Sequence, residues 1–202
     1  MQKNDVFRLA ASEVLSEDWG NLTRYEYDLR RRSGEWQRQT REVYDRGNGA
    51  TCLLYNPSSG CVLLTRQFRL PVFLNGGFAS LIETPAGLLE GAGAAERMRS
   101  ELIEETGYEI DALEHVFDVY MSPGSVTEYL AFFVGHYCET ARTSAGGGDF
   151  DEGEDIEVLH LPLPVAMSMI DSGDICDGKT IILLQRLAIE QLKLAHKSKS
   201  GN

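Results

Sequence analysis

The chain contains the run T-P-A-G-L-L-E-G-A-G-A-A-E-R-M-R-S-E-L-I-E-E-T-G-Y between Thr84 and Tyr108. The second half of this run consists mainly of Ala, Glu, Arg, Met and Leu, which lose little side-chain freedom in a helix. The sequence therefore predicts a helix from Ala94 to Thr106. Its start is expected near Gly93, and Gly107 is the residue expected just past its end.

Three glutamates fall on one face of this helix. Residues three and four apart are neighbours on a helix surface, so Glu101, Glu104 and Glu105 converge. Like charges at this spacing repel, and a bound cation would relieve the repulsion; magnesium prefers such oxygen ligands. A solvated helix face is the alternative, and it is the commoner explanation for an isolated acidic run. A Pro-Ala-Gly turn precedes the three glutamates and Thr-Gly-Tyr follows them.

The run resembles the signature of the Nudix hydrolases, which reads Gly, five residues, Glu, seven residues, Arg-Glu, an apolar residue, any residue, Glu-Glu, any residue and Gly. The matching positions are Gly87, Glu101, Leu102, Glu104, Glu105 and Gly107. Ser100 stands where the family has Arg, Gly93 replaces the first Glu, and the spacing from Gly87 to Glu101 is one residue short. Arg99 is expected to supply the missing guanidinium, whose usual task is to orient neighbouring carboxylates.

Further stretches resemble the branch of this family that hydrolyses nucleoside diphosphate sugars, and within it the GDP-mannose pyrophosphatases. They are R-E-V-Y-D-R-G-N-G-A-T from Arg41, Q-F-R from Gln67, P-A-G-L-L from Pro85, Y-M-S-P-G-S-V-T-E from Tyr120, A-G-G-G from Ala145, E-D-I-E-V from Glu154 and D-G-K-T from Asp177. The same branch tolerates a signature that is short by one residue. The resemblance implies an α/β fold, with an α/β/α sandwich around a mixed β-sheet and a small N-terminal β-hairpin subdomain. It also implies a homodimer in which the hairpin of one subunit helps to form the partner's site.

A metal site and a catalytic base are also implied by the resemblance. The expected ligands of Mg²⁺, or of Mn²⁺ in its place, are the Ala86 carbonyl, Glu101, Glu105 and Glu154, with Glu104 as a further candidate. Glu154 and Glu105 are the expected catalytic residues. A divalent ion lowers the pKa of a water molecule, and Glu154 would take the proton as that water attacks phosphorus in line. Glu152 is the alternative base because it lies in the same segment.

The resemblance also gives a set of expected substrate contacts. The residues are Trp19, Thr40, Arg41, Glu42, Arg69, Ala86, Gly87, Leu88, Glu105, Glu128, Gly153, Glu154 and Lys179. Arg69 and Lys179 would hold the diphosphate or the sugar phosphate, and Glu128 would bind a sugar hydroxyl. Trp19 and residues 40–42 would contact the nucleotide across the dimer. Packing is the alternative role for Trp19.

The reaction implied is the magnesium-dependent hydrolysis of GDP-mannose to GMP and mannose 1-phosphate. ADP-ribose is the alternative substrate and would keep the chemistry unchanged. A catalytically weak nucleotide sensor is an alternative of another class, motivated by Gly93 and Ser100. A sensor, however, has no need to keep three mutually repelling carboxylates, so the cluster favours the hydrolase.

Composition excludes several other classes of protein. A net charge of −12 argues against binding to a nucleic-acid backbone. The N-terminus lacks the apolar core of a signal peptide, and no run approaches eighteen apolar residues, so the sequence predicts neither secretion nor membrane insertion. Cys52, Cys61, Cys138 and Cys176 lack metal-type spacing. They are expected to be reduced core thiols of a cytoplasmic protein.

The sequence divides into an N-terminal β subdomain for dimerisation and nucleotide contacts at residues 1–45, a Nudix domain at 46–196 and a disordered tail at 197–202. Residues 144–155 are rich in Gly and acidic residues, and are expected to form either a disordered surface loop or a lid that carries Glu154. Residues 173–180, G-D-I-C-D-G-K-T, match the phosphate-binding P-loop pattern. Because a helix and not a strand is expected before them, the sequence argues against a P-loop.

Overall fold

A computed structural model describes residues 5–200, with side chains up to residue 197. The chain divides into two compact units. The first comprises the residues up to Asn48 together with Tyr120–Tyr129, and the second comprises Gly49–Val119 and the residues from Leu130 onwards. The loop Tyr120–Tyr129 therefore groups with the N-terminal subdomain, although it lies far from it in sequence.

The first unit is built on a three-stranded antiparallel sheet. Its strands, in the order β1-β2-β3, are β1 (Phe7–Glu17), β2 (Asn21–Arg30) and β3 (Trp36–Asp45). The predicted hairpin is present as β2 and β3, joined by a turn in which Gly34 adopts a φ of 93°. Strand β1, which the sequence analysis did not foresee, pairs with β2 along its length. None of residues 5–48 is buried, so this sheet has no core of its own.

A mixed sheet of seven strands forms the second unit. The strands are β4 (Gly49–Asn56), β5 (Cys61–Gln67), β6 (Leu81–Glu83), β7 (Ala86–Leu88), β8 (Leu113–Tyr120), β9 (Tyr129–His136) and β10 (Glu157–Pro162). Their order is β10-β5-β4-β9-β8, with β6 paired to β5 and β7 paired to β4. Strands β4 and β9 are parallel, whereas β4 and β5 are antiparallel, which confirms the predicted mixed sheet.

Helices cover both faces of this sheet. They are α1 (Leu70–Gly76), α2 (Ala94–Glu101), α3 (Leu163–Ser172) and α4 (Gly178–Ser200). Helix α2 packs on β4 and β7, while α3 and α4 pack on β10, β5 and β4. Ala50, Cys52 and Leu54 alternate along β4 and cluster with Met98 and Leu102 of α2. The intervening side chains point to the opposite face. The central strand is therefore buried on both sides, and its apolar run needs no polar alternation.

The C-terminal turn of α2 departs from α-helical geometry. Residues Leu102–Thr106 form a π-helical turn, and Gly107 ends it with a φ of 78°. The predicted helix boundaries are correct, but the wider turn was not foreseen. Such turns recur at functional sites, and this one contains Glu104 and Glu105.

The glycine-rich loop is anchored to this turn by backbone hydrogen bonds. The Gly147 N–H donates to the Glu105 carbonyl at 2.9 Å, and the Gly148 N–H donates to the Glu104 carbonyl at 3.1 Å. Carbonyls at a helix end lack partners within the helix, and the loop supplies them. Side chains would obstruct this approach, since a Cβ on Gly146 would lie 2.5 Å from the Glu105 carbonyl oxygen. The A-G-G-G stretch therefore holds the turn that carries the carboxylates.

Several local expectations change with the structure. Helix α1 was not foreseen. Helix α4 extends to Ser200, so residues 197–200 of the predicted disordered tail are helical, and 201–202 lie outside the described residues. The thiols are unpaired, and only Cys52 is buried, so the expectation of core thiols fails for the other three. Within residues 5–200, no helix has the length and hydropathy that a membrane span requires.

The contact between the glycine loop and the π turn makes a stability prediction. Gly146 and Gly60 share a φ of 69°, but a Cβ on Gly60 would meet no atom within 4 Å. Gly60→Ala should therefore cost only the left-handed backbone penalty of about 1–2 kcal/mol. Gly146→Ala should lose about 1–3 kcal/mol more in urea unfolding, because its methyl group meets rigid backbone. Equal losses in the two variants would contradict the anchoring.

Candidate active site

A buried carboxylate, Glu83, lies at the centre of the site. It ends strand β6 and is only 2% exposed. Arg69 Nε donates to its Oε1 at 2.7 Å, and the Lys179 ammonium donates to its Oε2. Asp177 lies 3.2 Å from the same ammonium. Two cations from different parts of the chain are thus fixed against one side chain. The cations are the two predicted to bind the substrate phosphates.

Both cations keep their charge, although Lys179 is buried and Arg69 is partly buried. Burial alone would lower the pKa of Lys179, but Glu83 and Asp177 outweigh it and hold the pKa above its usual value. Burial acts in the same direction on Arg69, and Glu83 again reverses it, so the pKa is raised. The site therefore presents permanent positive charge beside the strand end.

The D-G-K-T stretch docks the start of α4 onto the turn that precedes β7. Asp177 accepts hydrogen bonds from the Thr180 amide at 3.0 Å and from its hydroxyl at 2.6 Å, which caps the helix. The Thr84 amide donates to the Thr180 hydroxyl at 2.7 Å. Thr51 then donates to the Pro85 carbonyl at 3.0 Å. Since α3 and a short loop precede this stretch, the argument against a P-loop is correct.

The helix carboxylates lie close against strand β7. Glu101 and Glu105 are buried, with Glu105 only 1% exposed, while Glu104 is partly exposed. A Cβ on Gly87 would overlap the Glu101 carboxylate, so the absence of a side chain lets the two approach. Ala86 and Leu88 flank Gly87 in β7, and all three are partly exposed. The structure therefore brings Glu101 of α2 against the strand that carries the Ala86 carbonyl.

The surroundings of these carboxyl groups disfavour their ionised form. Burial raises the pKa of Glu101 to about 7, with Arg97 opposing and Glu104, Glu154 and Glu152 adding to the shift. Burial raises the pKa of Glu105 well above its usual value, and the nearby charges of Glu101, Glu83 and Glu154 reinforce it. For Glu104, burial and then Glu154 raise the pKa. Each shift has the sign expected for a carboxyl group that is withdrawn from water and surrounded by other carboxylates.

Glu154 follows a short helical turn in the acidic half of the loop. Residues Phe150–Glu152 form this turn, and Gly153 ends it with a φ of 77°. Glu154 Oε2 accepts a hydrogen bond from the Asp149 amide at 3.0 Å. Its charge acts on Glu101, Glu104 and Glu105, whereas that of Glu152 acts on Glu101 and Glu104. Glu154 thus influences the whole cluster, and Glu152 influences only part of it.

The donor set suits a hard divalent cation. Glu105 Oε2 is buried and has no hydrogen-bond partner among residues 5–200, which is unfavourable for a carboxylate oxygen unless a ligand completes it. As the side chains stand, no three Asp, Glu, His or Cys residues of the described chain enclose a common point. Arg97 engages one oxygen of Glu101 and the Asp149 amide engages one oxygen of Glu154, so each of these carboxylates keeps its other oxygen for an ion.

The missing signature arginine is replaced from a different position than expected. Arg99 points away from the cluster, and its Nε donates to the Asp111 carbonyl at 3.1 Å. Arg97 lies on the same helix face as Glu101, and its Nη2 is 2.7 Å from Glu101 Oε1. The expectation for Arg99 was wrong because residues two apart face nearly opposite sides of a helix, whereas residues four apart are neighbours.

The remaining predicted contacts belong to the first unit. They are Trp19, Thr40, Arg41, Glu42 and Glu128. Trp19 is 74% exposed, so the packing alternative for it is not supported within the described chain. Arg46 lies 3.0 and 2.9 Å from Glu128 Oε1 through Nε and Nη2, and its guanidinium carbon is 5.6 Å from the centroid of the Trp19 ring. Arg46, which sequence reasoning missed, therefore links the predicted sugar and nucleotide contacts.

Comparisons with known proteins define the class. The family model described as the NUDIX domain matches residues 45–169, and that of the GDP-mannose pyrophosphatase NudK N-terminal domain matches residues 7–44. The chain therefore belongs to the Nudix hydrolase family. A solved structure titled as an ADP compounds hydrolase superposes with a TM-score of 0.70 at 19% identity, covering 93% of this chain and 95% of that one. At that identity the match supports the fold alone.

Curated relatives are considerably more similar. GDP-mannose pyrophosphatase of Pectobacterium atrosepticum is 51% identical over 182 residues, which is 90% of this chain and 93% of the relative. The proteins of the same name from Escherichia coli and Shigella flexneri are each 49% identical over 185 residues, covering 91% of this chain and 96% of theirs. The similarity thus includes both the N-terminal sheet and the Nudix domain.

The pairs that flank β5 make a second prediction. Arg69–Glu83 and Arg66–Glu157 both have N–O distances of 2.7 Å, but Glu83 is buried and Glu157 is exposed. Glu83→Gln leaves Arg69 without its ion-pair partner and Lys179 with Asp177 alone, and should cost about 3–5 kcal/mol of unfolding free energy. Glu157→Gln should cost about 0–1 kcal/mol, because exposed pairs contribute little. Urea titration of the two variants tests this, and a small loss in Glu83→Gln would refute the central role of that residue.

Proposed function

We propose that this Nudix enzyme hydrolyses GDP-mannose to GMP and mannose 1-phosphate. The observation that carries the proposal is a sequence identity of about one half to GDP-mannose pyrophosphatases over nine-tenths of the chain. The match of residues 7–44 to the N-terminal domain of such enzymes adds support, because this segment contains all four of the predicted nucleotide contacts. The buried carboxylate cluster supports catalysis over mere binding of a nucleotide.

Magnesium is the proposed cofactor, held by the Ala86 carbonyl, Glu101, Glu105 and Glu154, with Mn²⁺ as a substitute. The partnerless oxygen of Glu105 and the crowding of negative charge around it support this assignment. When bound, a divalent ion neutralises charge on the diphosphate and makes a water molecule more acidic. The other roles in the reaction would fall to residues of the protein itself.

The protein residues supply orientation and proton transfer. Arg69 and Lys179 would hold the diphosphate oxygens, because they are charged and fixed by Glu83. Glu154 would accept the proton of the attacking water, since its charge acts on the whole cluster and it stands at the end of a loop. Gly87, Leu88 and Gly153 would contribute backbone contacts. Glu128 would bind a sugar hydroxyl, and Trp19 with residues 40–42 would contact the nucleotide.

A homodimer in the cytoplasm is the proposed state of the enzyme. The N-terminal sheet supports dimerisation because none of residues 5–48 is buried. Among its exposed apolar side chains are Leu9, Val14 and Trp19. A three-stranded sheet without a covered apolar face is marginal by itself, so a second copy would stabilise it. The unpaired thiols support a reducing compartment.

Product identity from a substrate panel tests the proposal. With Mg²⁺, the enzyme should convert GDP-mannose to GMP and mannose 1-phosphate faster than it converts ADP-ribose, other nucleotide sugars or nucleoside triphosphates. Glu105→Gln should lose at least about 100-fold in kcat, because the change removes the charge of a proposed ligand at constant size. Preference for ADP-ribose would keep the chemistry and replace the substrate. Binding without turnover would instead identify a sensor.

The two candidate bases are separated by a matched pair of variants. Glu154→Gln should reduce kcat for GDP-mannose by about 100- to 10,000-fold, the usual contribution of a general base. Glu152→Gln removes the same charge from the same loop, but should leave kcat within a few-fold of the wild type because Glu152 is exposed, whereas Glu154 is half-buried. Full activity in Glu154→Gln together with a large loss in Glu152→Gln would transfer the base role to Glu152.

A further inference from the structure

Arg97 connects the two elements that carry the proposed metal ligands. Its Nε donates to the Leu88 carbonyl of β7 at 3.2 Å, and its Nη2 lies 2.7 Å from Glu101 Oε1 on α2. Leu88 is two residues from Ala86 in the same short strand. One guanidinium therefore spans the strand and the helix through two separate nitrogens.

We propose that Arg97 is a positioning residue that fixes the Glu101 carboxylate relative to the Ala86 carbonyl, in place of the arginine absent at Ser100. This inference rests on the metal site of the proposed function. The two positions differ in sequence: Arg97 precedes Glu101 by about one helical turn, whereas Ser100 directly precedes it. Arg97 touches a ligand residue and not the reacting atoms.

Glu101 needs such a partner because its surroundings do not hold its carboxylate in place. It lies over Gly87, which offers no side chain to confine it, and Glu104, Glu154 and Glu152 repel its charge. Without a tether, the carboxylate would relieve this repulsion by turning away from β7. Arg97 holds Oε1 and leaves the second oxygen of the carboxylate for an ion. Partners of metal ligands act in this way by reducing the freedom of the ligand before the metal arrives.

The bridge requires an arginine and not only a positive charge. A guanidinium is planar and places its donors in a fixed fork, so Nε and Nη2 reach two acceptors on different elements. A lysine ammonium is a single point charge on a flexible stem. Arg97→Lys therefore keeps any repulsion between the side chain and a metal ion, but loses the two-point tether.

Binding of Mn²⁺, followed by electron paramagnetic resonance, provides the test on the full chain. Arg97→Lys should weaken Mn²⁺ binding about 10- to 100-fold, the usual effect of losing the partner of a metal ligand. Arg99→Lys is the matched control on the same helix and should bind as the wild type does, because Arg99 faces the Asp111 carbonyl. At saturating Mn²⁺, kcat for GDP-mannose in Arg97→Lys should return towards the wild-type value, so that the loss lies in metal affinity.

Other outcomes overturn the inference in distinguishable ways. Wild-type Mn²⁺ affinity in Arg97→Lys would show that Arg97 does not position the ligand. If Arg97→Lys were unchanged and Arg97→Met altered, charge and not the tether would matter, and the bridge would be refuted. Absence of Mn²⁺ binding to the wild-type protein would instead remove the metal site of the proposed function. Unfolding midpoints measured without metal exclude a general loss of folding in each variant.

Discussion

Glu83 is a buried carboxylate shared between Arg69 and Lys179, and the arrangement of the site depends on it. Strand β6 delivers Glu83, the loop before α1 delivers Arg69 and the first turn of α4 delivers Lys179. Burying Glu83 and Lys179 is costly unless each charge keeps its partner, so the ion pairs of Glu83 hold the three segments together. The hydroxyl network from Thr180 to Thr84 and Thr51 then fixes the turn that leads into β7.

The same site uses backbone contacts where side chains would not fit. Gly87 admits the Glu101 carboxylate, and the glycine loop reaches the carbonyls of Glu104 and Glu105. Both contacts bring main chain against α2 and its π turn. A side chain on these glycines would force the segments apart, so glycine is required at these positions.

Local patterns predicted the parts of this site that depend on neighbours in sequence. The carboxylate helix and its limits follow from helix formers and a capping glycine, whereas the mixed sheet was implied by the resemblance to the Nudix hydrolases. Glu83 was missed because a lone glutamate at a strand end gives no sign of partners that lie 14 and 96 residues away. Arg97, in contrast, was predictable from its spacing of four to Glu101. The π turn has no sequence signal that we recognise, and the glycine loop looked disordered because composition does not reveal backbone pairing across distant segments.

The balance of charge constrains how the proposed substrate enters. Three cations, Arg69, Arg97 and Lys179, face the carboxylates of Glu83, Glu101, Glu104, Glu105, Glu154 and Asp177. The cations are already paired with carboxylates, so none is free to offset the charge of an incoming anion. A diphosphate is itself an anion and gains little net attraction there. A divalent cation that enters before the diphosphate or with it would supply this attraction. On this argument the carboxylates that would hold the metal also prevent the metal-free protein from binding substrate tightly.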